Sequence, residues 1–496
     1  MLVPIKINNK AQKLDSEQRW LEHLFLQGYF LNKALCSGLG RCGECKIRFK
    51  GRVPAPTLKD KQCLKEKELA YGLRLACEHF PEEGEEVFVA PNLYDFASQK
   101  IKLDTLAIDV GTTNVKWGGV KQNKFYFLGK KINPQMGAGS EVVARLAFAL
   151  RGNVFRGYLQ RIIREDLEKI ISGVESNNIG LAGNSVMIYL IEGEDVRCLS
   201  RHPFFLTFKG DTWLKIANQD VYIPPLLSPF LGADISADFA YVQKNIEPEY
   251  PYLFFDLGTN GEILLVINEN KILGTSVALG PALEGIGLRF GGIFSENSVS
   301  DFYLTSHGIG WTGPKNNFKI TGTGYLKLID LLLRINILDR RGQFTSQGVF
   351  YILNNKIQNN RFYLTEDVFL DLKDVEEILK VKAAINTGIN FLFKKAKLNI
   401  KDVSQVFVTG FLGLNITQNT LINIGFFPFE WEEKILFLEN SVLQGVTLLA
   451  GDEVLRKNIV RYLKQVQTFN LSFQSDFIQY FVQAMNFDFW RNKETF

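Results

Sequence analysis

The feature that most restricts this chain is a strand ending in an acid and a Gly-Thr turn, written twice. Leu106-Ala107-Ile108-Asp109-Val110-Gly111-Thr112-Thr113-Asn114 closes an apolar run with a carboxylate and a tight turn. Leu253-Phe254-Phe255-Asp256-Leu257-Gly258-Thr259-Asn260-Gly261 repeats the design about a domain's length later. One such turn is well explained by an Asx bond. Two at this separation imply a duplicated lobe, and apolar strands alternating with helical segments, such as Val403 to Thr409 after Val375 to Lys397, make the class α/β. At the carboxyl edge of each sheet Asp109 and Asp256 are the expected catalytic carboxylates, placing Mg2+ and its waters. Gly111, Thr112, Thr113 and Asn114 on one turn, and Gly258, Thr259, Asn260 and Gly261 on the other, are the expected phosphate donors of a cleft gripping one nucleotide. Val406 to Gly413 is a third strand running into glycines; Gly410 and Gly413 would let an adenine approach the backbone, although alone the stretch fits any strand-to-helix loop.

The first ninety residues read as a separate α+β unit. Val3 to Asn8 alternates into a turn, a helix runs from a Ser16 cap towards Leu35, and Lys46 to Phe49 and Val87 to Ala90 are strand-like. Four of the six cysteines, Cys36, Cys42, Cys45 and Cys77, fall here, three of them on a glycine-rich loop and the fourth alone in Leu73-Arg74-Leu75-Ala76-Cys77. Three thiolates on a tight loop plus one distant thiolate suit a 2Fe-2S cluster, since glycines let backbone amides turn towards sulfur. The first gap holds five residues where plant-type spacing has four, which lengthens the loop without removing a ligand. Structural zinc is the alternative, although zinc sites more often pair two short knuckles. Cys63 and Cys198 have no cysteine at ligand spacing and read as small buried apolar residues.

Other readings are closed off. The chain holds 57 basic against 53 acidic residues, which gives no surface for nucleic acid. No P-loop occurs, Gly308 to Gly313 is followed by Pro314 where a dinucleotide-binding helix should begin, and the four histidines lie too far apart for metal or triad spacing. The start MLVPIKINNK is not signal-like and no apolar run is long enough to span a bilayer, so a cytoplasmic protein with no membrane partner is expected. Pro91 to Lys102 lacks a period and reads as a linker. The expected domains are 1–92, a linker 93–102, a first lobe 103–245, and a second lobe 246–496 with C-terminal return elements.

With these residues in hand, Asp109 to Asn114 and Asp256 to Gly261 resemble the two phosphate motifs of the superfamily of actin, sugar kinases and heat-shock chaperone ATPases. Gly410 to Gly413 resembles its adenosine motif, and Gly183-Asn184-Ser185 and Gln444-Gly445-Val446 stand where its connecting motifs are expected. Joined to the cysteine region, the chain resembles the reductive activators of corrinoid proteins, with further family-like stretches at Asn133-Pro134-Gln135, Gly232-Ala233-Asp234, Gly280 to Gly285 and Gly322-Thr323-Gly324. The resemblance implies a ferredoxin-like (β-grasp) 2Fe-2S domain fused to a two-lobed actin-like ATPase. It further implies ATP and Mg2+ as cofactors, a corrinoid protein and a low-potential electron donor as partners, and return of cob(II)amide to cob(I)amide; it also allows a homodimer. Two departures stand out: only Pro91 to Lys102 separates cluster from ATPase where the family usually has a linker and a small middle domain, and Asn114 replaces a third threonine. Alternatives of the same fold are a redox-regulated small-molecule phosphotransferase and a nucleotide-locked electron-transfer module without turnover.

Overall fold

The computed structural model describes all residues except 92–99, 293–294, 307, 317, 346–347, 349–352, 354, 411–415, 472–473 and 492–496. Strands β1 (Leu2–Ile7), β2 (Lys10–Asp15), β3 (Lys46–Lys50), β4 (Leu73–Leu75) and β5 (Glu86–Phe88) form one sheet in the order β2-β1-β5-β3-β4. Val3, Ile5 and Ile7 alternate inward from β1 onto Trp20, Leu24, Phe49 and Val87, and Asn8 and Asn9, both at positive φ, make the hairpin to β2. The helix Trp20–Leu26 is shorter than the sequence pattern suggests. Ser16 does not cap it, because its amide and hydroxyl both donate to the Met1 carbonyl, and Gly28 at φ +86° turns the chain out of the helix before Leu35.

The chain divides into two compact units, residues 1–208 with 213–221, and residues 209–212 with 222–496. In the first, β6 (Ile101–Val110), β7 (Asn114–Lys121) and β8 (Lys124–Ile132) form an antiparallel meander. The helix Asn153–Ser172 then returns the chain to β9 (Val174–Gly183), which runs parallel to β6 on its other side. Strands β10 (Thr212–Ile216) and β11 (Gln219–Ile223) complete the order β10-β11-β9-β6-β7-β8. Ile101 and Lys102, expected in the linker, begin β6; most of that linker lies outside the described residues.

The second unit repeats the plan. Strands β12 (Tyr252–Leu257), β13 (Asn260–Asn268) and β14 (Lys271–Ala278) form the meander, and Gln405–Gly410 runs parallel to β12 as β9 does to β6. The helices Gly322–Arg334 and Leu372–Ala396 bury Ile329, Leu332, Ile385 and Ile389 against Phe255 and Ile263 of this sheet. The repeat spacing puts a boundary at residue 245, whereas the contacts divide near 222. The helix Ala233–Asn245 belongs with the second unit because it packs on Ser441–Gly451, and a Cβ on Gly445 would lie 1.8 Å from the Ala237 carbonyl oxygen. Among the described residues no helix is long and apolar enough to cross a membrane.

Candidate functional site

Both Gly-Thr turns lie where β6 and β12 end. In the first, the Gly111 amide donates to the Asn114 carbonyl at 2.9 Å; in the second, the Gly258 amide donates to the Asn260 carbonyl at 3.0 Å, a turn one residue tighter. Asn114 and Asn260 are thus strand-opening residues whose carbonyls lock the turns. Thr112 and Thr113 are buried, and the Asn184 side chain donates to Thr112 Oγ1 at 2.9 Å while its own oxygen caps the helix Ser185–Glu192. The amide of Asn133 donates to the Thr113 carbonyl and its side chain to the Gly111 carbonyl, both at 2.8 Å, so the hairpin exit holds the turn from beneath. On the second turn Thr259 donates to Glu284 at 2.7 Å.

Cross-strand register sets the charge beside each aspartate. Asp109, buried, stands opposite Lys116, whose ammonium is 3.3 Å from Oδ2. At the equivalent place in the other hairpin Asp256 stands opposite Glu262. Burial, and then the carboxylates of Asp234, Asp256 and Asp238, push the Glu262 carboxyl well above the ordinary range. The two repeats therefore share a strand plan and differ in electrostatics: a cation at one turn, an acid cluster at the other. Gly410, at φ +89°, is paired with Leu257, and a Cβ there would lie 2.5 Å from Asp256 Oδ1; the third glycine-rich stretch thus abuts the second turn. Gly413 lies outside the described residues.

In the loops flanking the N-terminal sheet, Cys36, Cys45 and Cys77 are buried and Cys42 is half-buried, none of them disulfide-bonded. The sulfurs associate two by two, Cys36 with Cys42 and Cys45 with Cys77. The Cys42 thiol and then the amides of Arg41, Cys42 and Leu39 pull the Cys36 thiol down to about 5 against the effect of burial, and Cys77 is lowered by Cys45 in the same way. Their partners Cys42 and Cys45 are pushed up, each by the adjacent sulfur and then by burial. Gly38, Gly40 and Gly43 all sit at positive φ, which is what turns these amides inward. The pairs are not isolated: Cys45 also feels the charge of Cys42, and Cys77 that of Cys36. Asp60 holds the lone-cysteine segment: its buried carboxylate accepts from the amides of Thr57 (2.9 Å) and Leu75 (2.8 Å) and from His79 Nε2 (2.6 Å). Burial alone would raise its carboxyl, but these bonds, His79 foremost, keep it below 3.8.

The C-terminal domain of RACo, the ASKHA domain, matches residues 251–495, and the RACo middle region matches residues 105–245, so the middle region expected to be missing is matched by the first lobe. The chain belongs to the RACo family. Its second unit is thus an ASKHA domain, of the actin and sugar-kinase superfamily. Among RACo relatives, the corrinoid activation enzyme RamQ of Eubacterium limosum is 29% identical over 366 residues, 65% of this chain and 60% of RamQ. The methylated-amine-specific corrinoid protein Co(II) reductase of Methanosarcina barkeri is 25% identical over 267 residues, 49% of this chain and 46% of that protein. The chain therefore spans about half to three-fifths of the length of the curated relatives it matches. A solved reductive activator for corrinoid, iron-sulfur protein superposes over 98% of both chains with a TM-score of 0.66 at 19% identity, which establishes a RACo fold.

Sequence reasoning missed Lys116, Glu262, Asp238 and Cys63. Lys116 and Glu262 become visible only through hairpin register, and Asp238 only as the next turn after Asp234 on one helix. Cys63, expected to be a core residue, is half-buried and its thiol donates to the Gly40 carbonyl of the cysteine loop at 3.2 Å. It is a support of that loop.

Proposed function

We propose that this RACo-family protein is an ATP-dependent reductive activator that passes an electron from a 2Fe-2S cluster to the cob(II)amide of a corrinoid protein, restoring cob(I)amide for methyl transfer. The observation that carries the reading is the two-by-two association of Cys36 with Cys42 and Cys45 with Cys77 under inward-pointing amides. A 2Fe-2S cluster needs two thiolates on each iron, and amides near sulfur stabilise the added negative charge of the reduced state. A five-stranded sheet packed on the helix Trp20–Leu26 is the frame a ferredoxin-like domain would use. Bound there, the cluster supplies one-electron chemistry, refilled by a low-potential donor.

The chain's own residues do the rest. In the first unit Thr112, Thr113 and Asn114 would offer donors to a phosphate, with the ammonium of Lys116 balancing its charge; in the second, Thr259, Asn260 and Gly261 would offer donors in the same way. Asp256, set among Asp234, Asp238 and Glu262, is better suited to Mg2+ and its waters than Asp109, which already faces Lys116. Gly410 brings the stretch that resembles the adenosine motif up against Asp256 and Leu257 of the second turn. No covalent nucleophile is needed: an attacking water, oriented beside Asp256, would suffice. ATP contributes to an unfavourable electron transfer only by favouring one docked state of the two proteins over another. The test is to mix the reduced protein with a cob(II)amide protein and follow cob(I)amide absorbance. ATP should raise the yield; equal yields with and without ATP would refute the coupling.

A further inference from the structure

One buried cation in the first unit binds the phosphate turn and the residue next to a contact with the cysteine loop. Arg145, on the helix Val142–Ala149, has no exposed surface. Its Nη2 donates to the carbonyl of Thr112 in the first Gly-Thr turn, its Nε donates to the Gly139 carbonyl at 2.9 Å, and Nη1 reaches Gln135 Oε1 at 3.5 Å. The next residue after Gly139 is Ser140, also buried, and it is bound to the cysteine loop: its amide donates to Ser37 Oγ at 2.7 Å, and the two hydroxyls are 2.7 Å apart. Ser37 directly follows Cys36. The path from sulfur ligand to phosphate turn is therefore continuous: Cys36, Ser37, Ser140, Gly139, Arg145, Thr112.

The surroundings make this path stiff. A Cβ on Gly137 would lie 2.1 Å from the Phe25 ring, so the N-terminal helix seats directly on the Pro134–Ala138 turn. Tyr158 donates its hydroxyl to the Phe25 carbonyl, and Arg151 pairs with Glu22 at 2.5 Å. A rigid planar fork fixing two carbonyls transmits displacement where a flexible ammonium would absorb it.

We propose that Arg145 is a positioning residue that couples the phosphate turn to the four-cysteine loop through Ser140 and Ser37, so that nucleotide binding and the redox state of the cluster influence each other. The inference rests on the functional reading above. Coupling of this kind is reciprocal: whatever nucleotide does to the reduction potential, reduction does to nucleotide affinity.

The experiment measures the Kd of ATP for oxidised and for reduced full-length protein by calorimetry, and the potential of the centre with and without ATP. Wild type should show a several-fold difference in Kd between the two states and a matching shift in potential. Ser37→Ala, which removes both contacts to Ser140, should bring the ratio towards one while the visible spectrum stays that of wild type. Ser140→Ala, which keeps the amide contact, should lie between. Arg145→Lys should resemble Ser37→Ala. A wild-type ratio of one, or a ratio that Ser37→Ala leaves unchanged, overturns the coupling alone. A wild-type protein that takes up neither iron nor ATP overturns the functional reading with it.

Discussion

Asp60→Asn tests whether the lone-cysteine segment is held as described. Asp60 accepts bonds from the amides of Thr57 and Leu75 and from His79. Asparagine has the same shape but only one acceptor atom, and whichever way it is flipped its NH2 faces at least one of these donors. Leaving one buried donor without an acceptor costs about 1–3 kcal/mol, and the remaining bonds lose their charge assistance, so the loss should be about 2–4 kcal/mol. Opening of the N-terminal sheet should then be roughly 30- to 900-fold more frequent, at tenfold per 1.36 kcal/mol. The assay is thiol labelling of the metal-free protein read peptide by peptide. Cys45 and Cys77, both buried beside this sheet, should react faster by that factor, while Cys198, buried in the lobe, serves as the internal reference. Acceleration below threefold, or equal acceleration at Cys198, would refute the account of what pins Cys77.

Other consequences follow from single residues. Glu262 has a raised pKa in the folded chain, so its contribution is fully present below the ordinary value of 4.5 and is lost as pH rises towards the folded value; Glu262→Gln should therefore raise the thermal midpoint relative to wild type more at pH 8 than at pH 4, and an equal offset at both would contradict the assignment. Gly445→Ala places a methyl 1.8 Å from the Ala237 carbonyl oxygen and should cost at least about 1–3 kcal/mol, seen as a lower urea midpoint of the second unit; an unchanged midpoint would show that the two helices are free to separate. Cys63→Ala should leave iron content near wild type, whereas Cys36→Ala should lose most of it; comparable losses would make Cys63 a ligand and not a support.

The duplicated turns were legible because an apolar strand, an acid and a glycine lie contiguous in sequence, and strand ends with obligatory glycines are local chemistry. The charges that distinguish the two turns were not. Lys116 and Glu262 acquire meaning only from the cross-strand partners Asp109 and Asp256, and nothing in either residue's neighbourhood announces that pairing. The cysteine loop could be read as three plus one from spacing, but its two-by-two association depends on how β4 brings Cys77 beside Cys45. Ser16 was misread as a cap because a serine before an apolar period looks the same whether its hydroxyl serves the helix or, as here, the Met1 carbonyl. Arg145 carried no signal at all: the carbonyls it binds belong to Thr112 and Gly139, and carbonyls are present at every residue.

The joining of an iron-sulfur electron carrier to an ASKHA domain in one polypeptide is tested most directly by electron paramagnetic resonance of the anaerobically reconstituted, reduced protein, with iron and sulfide measured on the same sample. Equal iron and sulfide, a signal from a single unpaired electron per cluster, and a change in that signal on adding ATP and Mg2+ are predicted. Protein that holds zinc in the four cysteines, or gives a signal indifferent to nucleotide, would contradict it.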